Sequence, residues 1–194
     1  MHERMVLSVN VSRAKKIAAQ DRTMLSAIGK RSVEGPVVVE RLGLQGDEQA
    51  DLSEHGGLNK AIYAYPKEHY PFWREQRKQH GASLFDEELP NGFLGENLSI
   101  CGLLERNVFI GDELHFPDCI LRVTEPRSPC FKFTSIMGFN QAGKVMTQTG
   151  FCGFYLAVEK TGTLEAGQIF SLKPGRRGLG VQDAFNAKRS KHLR

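Results

Sequence analysis

The chain has 194 residues, 40% hydrophobic and 25% charged, a composition that supports one packed core and excludes wholesale disorder. It contains no run of about 18 apolar residues, so no membrane-spanning helix is expected. The formal net charge is +4, but residues 176–194 hold six Lys/Arg against one acid, Asp183, so that segment carries +5 and the rest about −1. The body is therefore no basic platform for nucleic acid, and the tail reads as a solvated basic end. The cysteines are Cys101, Cys119, Cys130 and Cys152, with no CxxC pair and no zinc-finger spacing. With no export signal at the N-terminus, a cytoplasmic protein without disulfides or structural zinc is expected.

In chain order, residues 6–11 alternate as a first strand. Residues 37–42 form a β-branched run ending at Gly43, and residues 60–65 another, stopped by Pro66. Residues 67–80 are amphipathic, with Tyr70, Trp73 and Arg77 at helical spacing and Pro71 in the first turn. Residues 107–116 read as strand, Gly-Asp turn or bulge, strand. Residues 119–124 follow the turn pair Pro117-Asp118. A weaker helix is expected over 140–147. Residues 154–158 and 168–172 suggest a closing hairpin, and 181–191 a short terminal helix. Strand and helix do not alternate, so a doubly wound parallel sheet is disfavoured. The expectation is a mainly β fold, barrel or sandwich, with a few short helices. It forms one domain over residues 1–175 and a basic tail over 176–194.

Three segments can carry chemistry. In Glu125-Pro126-Arg127-Ser128-Pro129-Cys130-Phe131-Lys132-Phe133, two prolines stiffen the backbone around a thiol. Arg127 and Lys132 favour the thiolate of Cys130 if they stay near it, making it a nucleophile or soft metal ligand. The competing reading is a thiol packed as a small apolar residue, which suits Cys101, Cys119 and Cys152 better. In His55-Gly56-Gly57-Leu58-Asn59-Lys60, backbone N–H groups with His55 and Lys60 can hold a phosphate or other anion, although many Gly-Gly pairs are plain turns. The nearby Asp47 and Asp51 either orient His55 or Lys60 or are solvated. In Gly95-Glu96-Asn97-Leu98, the amide of Asn97 can read a heterocycle edge, or the segment is an Asx-type turn.

Taken in order, these segments resemble the MOSC-domain family, most closely its YiiM-like branch. The resemblance runs from Gly43 to about Leu172. It rests on residues 46–51 (GDEQAD), 55–57 (HGG), 65–70 (YPKEHY), 95–98 (GENL), 111–112 (GD) and 126–132 (PRSPCFK). It implies a closed, mostly antiparallel β-barrel that binds the molybdenum cofactor, with Cys130 as the thiolate ligand of the metal. It also implies that His55, Gly56, Gly57, Lys60, Gly95, Glu96, Asn97, Arg127 and Lys132 bind the cofactor. The branch is associated with reducing N-hydroxylated bases, so the resemblance implies an N-oxygenated small-molecule substrate. The chain has no flavin, haem or iron–sulfur motif, so an external electron-transfer protein would supply electrons. Two departures stand out: Phe151-Cys152-Gly153-Phe154-Tyr155 lacks an arginine often found there, and Ala157 replaces another. Two other functions compete: a carrier of sulfur or cofactor that uses a Cys130 persulfide or ligation without turnover, and a module that binds another anion. A pyridoxal-phosphate role for Lys60 is disfavoured, because the domain it belongs to is a longer segment absent here.

Overall fold

The structure, a computed structural model, describes residues 3–19, 22–49, 56–83 and 87–192. Strand β1 (Met5–Val11) is followed by a hairpin of β2 (Lys15–Ala19) and β3 (Arg22–Ser26), then by β4 (Arg31–Ser32), β5 (Val37–Glu40) and β6 (Gly43–Leu44). Next come β7 (Ile62–Pro66), helix α1 (Tyr70–Gln79), β8 (Leu98–Cys101), β9 (Glu113–His115) and β10 (Ile120–Pro126). Helices α2 (Phe131–Met137) and α3 (Ala142–Thr149) precede β11 (Phe154–Lys160), β12 (Gly162–Leu164), β13 (Ser171–Lys173) and helix α4 (Val181–His192).

Eight strands form one sheet in the order β13-β9-β10-β11-β7-β8-β1-β4. Its pairings are antiparallel except β7 with β8. A parallel neighbour needs a crossover, and the amphipathic stretch supplies it as α1, with Pro71 in the first turn where its missing N–H costs nothing.

The fold is mixed α/β and strand-rich, with a mostly antiparallel eight-stranded sheet, and its strand ladders by themselves do not show the closed barrel expected from the sequence. Beyond these ladders, β1 meets the chain just before β13 through the bridge Met5 to Ile169 and through backbone hydrogen bonds from Val6 N–H to Gln168, from Gly167 N–H to Val6 and from Phe170 N–H to Arg4. The expected closing hairpin is also absent: β11 lies between β10 and β7, while β13 pairs with β9. Strand pairing over such distances is set by which faces can be buried together, and local turn residues do not encode it.

β7 is buried on both faces. Ile62 and Ala64 enter one apolar core with Leu98, Leu121 and Leu156. Tyr63 and Tyr65 point the other way, into an aromatic core with Trp73, Phe133 and Tyr155. There the hydroxyl of Tyr65 accepts from Trp73 Nε1 at 2.5 Å and donates to the carbonyl of Phe151 at 3.0 Å, so the buried polar tips are satisfied.

Gly153 sets the entry to β11. Its φ is +63°, and a Cβ there would come within 2.5 Å of the Ala64 carbonyl oxygen and 2.8 Å of the Tyr63 ring. Backbone at such a place cannot yield without breaking the β7–β11 ladder. Gly153→Ala is expected to lower stability by about 3 kcal/mol, read as a fall in the urea midpoint with an unchanged m-value.

Candidate active site

The segment leaving β10 places the thiol. Pro129 keeps Ser128 extended, and Cys130 is itself extended (φ −135°, ψ 166°) as the cap of α2. Helix α2 begins at once with Phe131 and ends at Gly138 in the left-handed region, whose N–H bonds back to Thr134 and Ser135. A seven-residue helix this short is held by burying Phe133 and Met137 in the aromatic core.

Cys130 is half-buried and packs at the edge of that core. Its sulfur lines a pocket of about 620 Å³, including the open mouth, together with Lys60, Gly95, Asn97, Arg127 and Lys132. These expected residues come from three separate stretches of chain. Lys30, Asp47, Tyr63 and Tyr155 also line the pocket, and sequence reasoning did not assign them to it. The alternation of Tyr63 and Tyr65 against Ile62 and Ala64 was the available signal that β7 has a second, functional face.

Arg127 is the electrostatic centre. It is 5% exposed, and its Nη2 lies 3.9 Å from Cys130 Sγ. The guanidinium sits 5.0 Å from the Tyr63 ring centroid and 5.3 Å from that of Phe133, where the ring faces attract a cation. Its Nη1 is buried without a hydrogen-bond partner. Burial raises the phenols of Tyr63 and Tyr155, with Arg127 pulling both back. Both stay protonated at neutral pH, so neither phenol cancels the charge of Arg127.

The acid side of the pocket is an internal lattice. Asp47 accepts from the backbone of Ser12 and from Asn97 Nδ2, both at 2.8 Å, and pairs with Lys30. Burial lowers the pKa of that ammonium, and Asp47 opposes the fall. Asp47 therefore serves Lys30 and Asn97, whereas the sequence had suggested His55 or Lys60.

Asn97 is also committed inward. Its Oδ1 accepts from the Tyr63 backbone at 3.1 Å, and its Nδ2 donates to the Asn10 carbonyl and to Asp47. Both amide ends are used, so the side chain ties β1, β7 and the Asp47 loop together, and the expected reading of a heterocycle edge is corrected. Glu96 is fully buried, accepting from Tyr70, Gly92 and Ser99, and does not line the pocket. Gly56 and Gly57 lie off the pocket lining, and the Gly57 N–H goes to Gln49 Oε1 at 2.8 Å. The cations that line the pocket are Lys30, Lys60, Arg127 and Lys132. His55 lies outside the described residues.

The other thiols differ in kind. Burial pushes Cys119 up to about 12 and Cys152 well above its ordinary value. At about pH 8, iodoacetamide is expected to modify Cys130 ahead of Cys119 and Cys152 in the folded chain, as followed by peptide mass spectrometry. Asn97→Ala is expected to lower stability by about 2–4 kcal/mol through orphaned buried groups, read from denaturant unfolding.

The MOSC domain model matches residues 51–171. YiiM of Escherichia coli is 36% identical over 169 residues, covering 87% of this chain and 73% of that protein. The crystal structure of YiiM from Geobacillus stearothermophilus aligns with a TM-score of 0.77 at 28% identity, covering 98% of this chain and 86% of that one. A Gibberella moniliformis protein named as a reductase is 38% identical over 168 residues, covering 86% of this chain but 29% of its own. On the domain match and on relatives similar over nearly its whole length, the chain belongs to the MOSC domain family.

Proposed function

We propose that this chain is a molybdenum-cofactor-dependent reductase of N-hydroxylated compounds, drawing electrons from a partner protein. The observation that carries the reading is the half-buried sulfur of Cys130, opening on the pocket beside a buried arginine with one nitrogen unpartnered.

The residues fit such a group. Among the described residues no cluster of three or more His, Cys, Asp or Glu can cage a metal ion, so a metal here would arrive on its own organic ligand and take one sulfur from the chain. A thiolate suits a thiophilic metal. Lys60, Arg127 and Lys132 suit the phosphate of a pterin cofactor. Bound in this pocket, the cofactor supplies a two-electron centre able to remove oxygen from an N–OH group.

The chain's own part is positioning and charge. Cys130 ligates, aimed by Pro129 and the start of α2. Arg127 stands beside the sulfur and offers its remaining nitrogen to the ligand. Lys60 and Lys132 neutralise charge at the mouth. Tyr63 and Tyr155, both neutral, wall the pocket with ring faces against which a flat heterocycle can lie. The fungal relative named as a reductase, in which this region is 29% of the length, supports a reductive role. The absence of a flavin or iron–sulfur motif in this sequence supports an external donor.

The test is protein made in a molybdate-fed host. The wild type is expected to carry metal and pterin and to reduce an N-hydroxylated base when given a donor. Cys130→Ala is expected to lose metal and at least about 100-fold in activity. Equal metal content and turnover in the two proteins would overturn the proposal. An extra sulfur on Cys130 by intact mass, without turnover, would favour the carrier function instead.

A further inference from the structure

Helix α4 lies beyond residues 51–171, where the family match ends. Val181, Ala184 and Phe185 are buried, at the spacing of one helical face. Lys188 is the next residue on that stripe, so a charge occupies the packed side of the helix. Its Nζ lies 2.8 Å from Oε2 of Glu125. The other oxygen of the same carboxylate, Oε1, lies 3.8 Å from Nζ of Lys60. Lys60 lines the pocket, and Glu125 sits on β10 opposite Tyr155, another pocket residue. One carboxylate is shared between a pocket cation and a helix cation.

A carboxylate beside Lys60 opposes anion binding twice over: it neutralises the ammonium and it repels the incoming charge. The closer contact with Lys188 counters both effects. We infer that α4 is a positioning element of the anion pocket, in which Lys188 holds Glu125 and weakens the pairing of that carboxylate with Lys60. The inference rests on the reading of the pocket as an anionic-ligand site and adds the C-terminal helix to it. The side chains of Lys60, Glu125 and Lys188 are 23%, 29% and 44% exposed, so the effect is modest and weakens with salt.

Inorganic phosphate is the probe, and the alkylation rate of Cys130, in the same pocket, is the reporter. At low ionic strength, Lys188→Met is expected to raise the phosphate concentration that half-protects Cys130 by about two- to five-fold. Lys188→Arg is expected to behave as the wild type. In a Glu125→Gln background, Lys188→Met is expected to change little, because the carboxylate it held is gone. The same shift in both backgrounds, or no shift in either, would overturn the role of Lys188 alone. Failure of phosphate to protect the wild-type thiol would overturn the anion pocket and this inference with it.

Discussion

A guanidinium held out of water beside a sulfur is the constraint on which the rest of this site depends. Taking such a charge from water costs several kcal/mol unless contacts offset it. Arg127 has two ring faces, from Tyr63 and Phe133, and the Cys130 sulfur. A desolvated cation–π contact contributes about 2 kcal/mol, which offsets only part of the cost. The buried Nη1 remains unmet. The buried cation therefore favours negative charge on the groups beside it.

The fold is arranged to keep those contacts in place. Tyr63 comes from β7, Tyr155 from β11 and Phe133 from α2, and each is buried. The two strands are neighbours in the sheet, with Tyr155 paired to Tyr63, so the rings share one face while Ile62 and Leu156 fill the other. A one-residue slip between β7 and β11 would swap tyrosines for aliphatic side chains at Arg127 and empty both cores. Strand register and site electrostatics are thus the same constraint seen from two faces of one sheet. Gly153, held at positive φ against the Ala64 carbonyl, fixes where that register begins.

What was legible in the sequence was the chemistry carried by local pattern. Cys130, the cations Arg127 and Lys132, and Lys60 behind its glycines, all singled out by residue type, line one pocket. What was not legible depends on partners far along the chain. Asn97 looked like a free amide, but Asn10, Asp47 and Tyr63 consume it. Glu96 looked like a carboxylate at a strand entrance, but Tyr70 and Ser99 hold it inside. The paired glycines looked like an anion cradle until Gln49, eight residues before Gly57, claimed its N–H. In each case short-range sequence reveals what a group can bond to, and only the packed chain decides what it does bond to.

The C-terminal segment shows how charge counting and periodicity answer different questions. Six basic residues against one acid describe a solvated tail; residues 174–179 are exposed, yet Arg177 pairs with Asp112 and lies over the Phe109 ring. The apolar positions 181, 184 and 185 describe something else, a helix with an inward stripe. The chain is stitched down before that helix begins: Ile110 N–H donates to the Leu179 carbonyl, and Val181 N–H to the Val108 carbonyl, each at 3.0 Å. Asp112 accepts from the Gly175 backbone at 2.8 Å. Anchored in this way, α4 buries Phe185 and brings the exposed Lys188, one turn further on, within reach of the sheet. A lysine in that position needs a carboxylate, and Glu125 on β10 supplies it. The segment that sequence alone separates from the domain thus reaches, through one shared carboxylate, a cation that lines the pocket.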